Sequence, residues 1–137
     1  MKIKNSEINV LNVCISQILA TTDRISGGII FNLNRNAGIL KPLLEDIDST
    51  RNAIVDQYVD KDENGKHKVK EGSDGKLLSF TKENEALANS EIEEVFKTEL
   101  DVDFIKLPLS KFETLSLDTS KVPGLNVFID FIIDEDN

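Results

Sequence analysis

A lone cysteine, Cys14, is all the thiol this sequence has, so no internal disulfide braces the fold. It has one histidine, His67, and the pair offers too few soft donors for a zinc site. A Cys–His nucleophile would have to come from these same two residues. Cys14 falls in a strongly apolar helical stretch and His67 in a polar turn region, so a buried, inert thiol is expected. Tryptophan is absent and Tyr58 stands alone among tyrosines, leaving an aliphatic core with seven phenylalanines as its large pieces. The longest apolar run, 127–133, is broken by Asp130 and is far too short to span a bilayer. Near the N-terminus, Glu7, Asn9, Asn12, Ser16 and Gln17 interrupt any leader-like apolar segment. The expectation is an intracellular, soluble chain without a membrane partner.

Basic residues are also in short supply. Sixteen Lys and Arg face twenty-five Asp and Glu, for a net charge of −9. The imbalance is local: residues 1–44 carry +3, which leaves −12 for the remainder. Direct nucleic-acid binding is disfavoured, because phosphate contacts need a basic surface. The acidic part is read first as a solvated face and, functionally, as a surface for a basic partner. Its densest run is Glu83, Glu85, Glu91, Glu93, Glu94, Glu99, Asp101 and Asp103.

What the sequence has in quantity is helical periodicity. After a short strand at Ile3 and a cap at Asn5 or Ser6, residues 8, 11, 15, 18 and 19 share one apolar face. Val10, Val13 and Cys14 widen that face so far that the helix must be covered on more than one side, by this fold or by another chain. A second pattern, Leu33, Ala37, Leu40, Leu44, Ile47, Ile54 and Tyr58, predicts one long helix over 29–60, kinked near Pro42 where the ring meets the carbonyl of Gly38. A third helix is expected from an N-cap at Thr81 to about residue 100, with Ala88, Ile92, Val95 and Phe96 inside. Between them, 67–70 and 77–80 have the spacing of a projecting β-hairpin. Residues 102–107 read as a strand ended by Pro108, and Ser110 with Glu113 has capping-box spacing for a helical turn over 111–115. Residues 122–133 fit both helix and strand, and Pro123 in a first turn favours helix. The fold class that follows is a helix-dominated α+β domain spanning residues 1–137. It has three main helices, a hairpin projecting over 60–80, and a small sheet.

Two features invite a functional reading. Asp60-x-Asp62-x-Asn64-Gly65-x5-Glu71 has calcium-loop spacing. Yet Lys66, Lys68 and Lys70 bring positive charge to the cation's place, His67 sits where an apolar residue is needed, and the glycines after Glu71 start no exit helix. A polar turn is the simpler account, and no metal or cofactor is expected. Gly27-Gly28, Gly65-Lys66 and Gly75-Lys76 lack the spacing of phosphate-binding loops. Arg51 breaks the apolar stripe of the second helix. It requires either a carboxylate such as Glu91 or Glu94, or a place at the seam where it meets a partner.

Several pieces together carry a resemblance: Lys2-Ile3-Lys4-Asn5, Leu43-Leu44-Glu45, Tyr58 followed by Lys61-Asp62-Glu63-Asn64-Gly65, a Gly-rich turn, an acidic helix, and Ile105-Lys106-Leu107-Pro108-Leu109-Ser110. In these the chain resembles a group of small uncharacterised proteins encoded by bacteriophages; the last thirty residues depart from that pattern. The resemblance implies a phage setting, in the host cytoplasm or on the virion, and brings no functional residues with it. The expectation is a non-enzymatic protein that binds another macromolecule, as a virion or assembly component or an accessory factor. Its partner is a protein, with a second copy of the chain among the candidates. The alternative is an acidic inhibitor of a host defence or nucleic-acid enzyme.

Overall fold

The computed structural model describes residues 1–21 and 24–135. The elements in chain order are β1 (Lys2–Lys4), α1 (Asn5–Thr21), α2 (Gly27–Tyr58), α3 (Lys82–Lys97), β2 (Glu99–Asp101), β3 (Leu107–Pro108), α4 (Leu109–Phe112), a 3-10 turn (Thr119–Lys121), α5 (Leu125–Ile132) and β4 (Ile133–Asp134). The helix-dominated α+β class stands. The count of three helices does not, since among the described residues two short helices, α4 and α5, join the three long ones. Helix α2 runs through Pro42 as one element of 32 residues. The chain divides into two compact units, Met1–Glu45 with the chain from Glu99 onward, and Asp46–Thr98.

The first unit is built around α1. Its inward face, Ile8, Leu11, Cys14, Ile15 and Ile18, is essentially sealed from solvent, as the i, i+3, i+4 spacing requires. Lys4 N–H donates to Glu7 Oε1 at 3.1 Å, tying the entry of the helix to its first turn. Against α1 lies α5, whose Phe128, Phe131 and Ile132 are buried. Phe128 meets Phe112 with ring centroids 5.6 Å apart, and Phe131 meets Phe104 edge to face at 6.2 Å. Gly124 starts α5 at φ 78°, and a Cβ there would overlap the Val10 side chain, so both backbone and space demand glycine.

Two minimal sheets finish this unit. β1 pairs antiparallel with β2, placing Lys2 opposite Asp101 and Lys4 opposite Glu99, and β3 pairs parallel with β4. The strand expected over 102–107 is not continuous; residues 102–106 lie between β2 and β3 without ladder pairing. The reason is Asn36, fully buried on α2. Its Nδ2 donates to the Ile105 carbonyl at 2.9 Å and its Oδ1 accepts from Ile105 N–H at 2.7 Å. A side-chain amide thus takes the place of a neighbouring strand. The helical turn expected over 111–115 begins earlier, as α4, with Pro108 rather than a hydroxyl at its N-cap position. The ambiguous 122–133 segment resolves into the helix α5 followed by the two-residue β4.

The second unit holds the end of α2, a loop region over 59–81, and α3. Thr81 caps α3 as expected, its hydroxyl accepting from Asn84 N–H at 3.1 Å, and the helix stops at Lys97. The loop region is not a regular hairpin. The expected legs do meet, but only at one bridge, Val69 with Leu78, and a further leg pairs Lys61 with His67. The three legs close in a ring of backbone hydrogen bonds. Lys68 N–H donates to Asp60 O at 2.7 Å, Ser79 N–H to Lys68 O at 2.9 Å, and Asp60 N–H to Ser79 O at 2.9 Å. Ring closure leaves no room for a long two-stranded ladder, and so satisfies backbone groups with little regular structure.

Candidate functional site

The acidic run does not form one surface element. Glu83, Glu85, Glu91, Glu93 and Glu94 are exposed on α3 in the second unit. Glu99 and Asp101 lie on β2 in the first unit, where Lys4 and Lys2 stand opposite and the N-terminal ammonium meets Asp101 Oδ1 at 3.1 Å. Asp103 is exposed beyond that strand. Among the described residues no ion pair involves the α3 glutamates.

Arg51 is exposed, and no ion pair joins it to Glu91 or Glu94. Water solvates the guanidinium, so the internal partner that a buried cation would need is not required. Glu91 instead stands near Tyr58. Burial, with that carboxylate second, raises the pKa of the Tyr58 hydroxyl.

Two of the three calcium-loop carboxylates, Asp60 and Asp62, are held by hydrogen bonds within the second unit. Asp62 Oδ1 accepts from Asn64 N–H at 2.8 Å and Lys66 N–H at 2.9 Å, while Asp60 Oδ2 accepts from the Ser79 hydroxyl at 2.8 Å. Gly65 closes this turn at φ 78°. Among the described residues no three His, Cys, Asp or Glu side chains gather closely enough to hold a metal ion.

Cys14 is buried in the first unit, and desolvation pushes its thiol up to about 11, far from a reactive thiolate. His67 belongs to the second unit, its Nε2 2.8 Å from Asp56 Oδ1, with Lys61 Nζ at 3.6 Å from the same oxygen. The His67 hydrogen bond first, then the Lys61 charge, hold the Asp56 carboxyl below its usual range. A carboxylate–imidazole pair is two-thirds of a hydrolytic triad. Among the described residues, no hydroxyl or thiol is hydrogen-bonded to this ring.

A well-formed concavity of about 520 Å³ lies within the second unit. Val55 of α2, Leu77, Leu78 and Phe80 of the third leg, and Ala88 and Ile92 of α3 supply its apolar lining. Its polar groups are segregated: Lys70 and Lys76 come from the loop region, Glu85 and Asn89 from α3. Leu77 is 57% exposed and Leu78 37%, with Leu87 and Val69 also largely exposed in the same unit. This size and lining suit a bound apolar group held by a few polar contacts. Sequence reasoning missed the cleft, since its walls come from three separated segments and residues 70–80 look polar by composition.

The chain matches no protein-family model, no curated protein and no solved structure. Among the described residues, no helix is long and apolar enough to cross a membrane.

Proposed function

We propose that this protein is a non-enzymatic binding module of phage type, a virion or assembly component or an accessory factor. It acts in the host cytoplasm or on the particle, by taking an apolar side chain of a protein partner into the cleft of the second unit. The observation that carries this reading is the open apolar cleft, lined by Leu77 and Leu78, beside α3 glutamates that, among the described residues, form no ion pair. Exposed leucines grouped at a cavity are costly to leave in water and typical of interaction sites. The cleft's one hydroxyl–carboxylate contact, Ser79 with Asp60 at 2.8 Å, has no imidazole hydrogen-bonded to it among the described residues, which favours recognition over turnover.

A second reading, an acidic inhibitor of a host defence or nucleic-acid enzyme, draws on the α3 glutamates alone. The two differ in their response to salt. Binding through the cleft holds as ionic strength rises, whereas an acidic mimic loses its partner steeply as screening shortens electrostatic reach to ~8 Å near physiological salt. The test is capture of partners from infected cells by the full chain and by Leu77→Lys. The cleft reading expects the partner to survive high salt and to be lost with Leu77→Lys. Retention by that variant, with loss on replacing Glu91, Glu93 and Glu94 by Gln, supports the acidic reading instead.

A further inference from the structure

The most exposed large apolar side chain among the described residues is Phe31, at 61%, on the third position after the Gly27-Gly28 start of α2. Arg35, one turn on, holds its guanidinium 5.8 Å from the Phe31 ring centroid. Ile30, at 37% exposure, adjoins it. From Gly27 to Leu44 the helix carries Arg35 and Lys41 and not one carboxylate. An aromatic ring and an arginine standing together in water have the composition of an interface anchor.

The second unit presents the counterpart. Its cleft is apolar in lining, large enough for a benzyl group, and bounded on the α3 side by Glu85. Helix α3 has five glutamates against Lys82 and Lys97. The two lysines of the cleft come from the loop region and its carboxylate from α3, so a cation arriving with the ring finds its counter-charge at Glu85. Resting on the reading of the cleft as a protein-binding site, we infer that its occupant is a second copy of this chain. Phe31 of one copy enters the cleft of the next, with Arg35 turned toward Glu85. Such a contact closes either as a reciprocal pair, each copy filling the other's cleft, or head to tail with more chains.

Sedimentation of the full chain over a wide concentration range tests this. The expected result is a mass that climbs with concentration from one chain to two or more. Phe31→Ser and Leu77→Lys, both at exposed positions, each hold the mass at one chain, with association weakened by about thirtyfold or more. The deciding step is to mix these two variants. One keeps the cleft and the other keeps the knob, so the mixture forms a two-chain species and goes no further. Circular dichroism checks that each is folded, and Arg35→Glu, which leaves the ring in place, gives a second route to weakened association. The inference is overturned by a wild-type chain that stays single at every concentration, by association that Phe31→Ser or Arg35→Glu leaves unchanged, or by a mixture of folded variants that stays single. Its failure separates from failure of the binding-module reading. A single-chain wild type whose captured partner is lost with Leu77→Lys removes only the self-association.

Discussion

The two compact units differ in how much of their apolar content they bury. In the first, Ile3, Leu11, Ile18, Leu33, Leu40 and Phe128 are among many side chains fully withdrawn from water. In the second, Ile47, Val59 and Ala88 are the buried apolar residues, while Leu77, Leu78, Leu87 and Val69 stand in solvent. The first unit also exposes apolar side chains, Phe31 and Ile30 among them, but around a large sealed interior that the second unit lacks. The lesson is about where function resides: a segment with few buried contacts and exposed apolar groups lies at the low-stability end of a fold, where binding surfaces are found.

Core truncation gives the largest effect and the sharpest check of that contrast. Phe128→Ala in the first unit removes a fully buried ring that packs on Phe112, at an expected cost of ~3–5 kcal/mol. Leu77→Ala in the second unit deletes a side chain that is mostly in water and should change stability by no more than ~0.5 kcal/mol. Urea unfolding of both variants measures the difference. Comparable losses would mean that the cleft leucines are structural, and the contrast between the units would collapse.

The same contrast explains what could be read in the sequence. Helices α1, α2 and α3 were legible because each repeats its apolar residues over several turns, and Thr81 announced its helix through a hydroxyl three residues before Asn84. The strands were not legible, since two or three residues carry no period to detect. Asn36 could have been found: it lies three after Leu33 and four before Leu40, a polar residue on an apolar stripe, the same signal that singled out Arg51. The two had opposite outcomes because Asn36 meets the Ile105 backbone and Arg51 meets water. No pattern within any one segment encodes the cleft, whose lining converges from 55, 70–80 and 85–92.

Asn36→Leu is the next largest perturbation. It keeps bulk on the stripe but strips partners from both the N–H and the carbonyl of Ile105. Leaving such groups unmade costs ~1–3 kcal/mol, and the loss should appear as faster amide exchange at Ile105 together with a lower unfolding midpoint. A near-neutral result would show that water replaces the amide there, and that the first unit is less sealed than its exposures suggest. Gly124→Ala follows. The backbone at φ 78° and the Val10 side chain both oppose a Cβ, so ~1–3 kcal/mol is expected, again by chemical unfolding. Pairing it with Val10→Ala should recover the part due to overlap and leave the part due to the backbone.

The smallest expected effect lies in the second unit, at Asp56. His67 and Lys61 hold its carboxyl below the usual range, and all three groups are exposed, so the contribution is modest. The direction is fixed by linkage. A carboxyl with a lowered folded-state pKa stabilises the fold above its unfolded value, about 3.9 for aspartate. That stabilisation drains away as pH falls through the folded value. Thermal midpoints should therefore fall more in wild type than in Asp56→Asn between pH 5 and the acid side of that window, and salt should shrink the difference. Carbon-detected titration of the Asp56 carboxyl provides the direct readout. If it titrates at the ordinary aspartate value, the contact between the end of α2 and the 61–67 turn is too loose to order that turn, and the second unit rests on even fewer interactions than its sparse core implies.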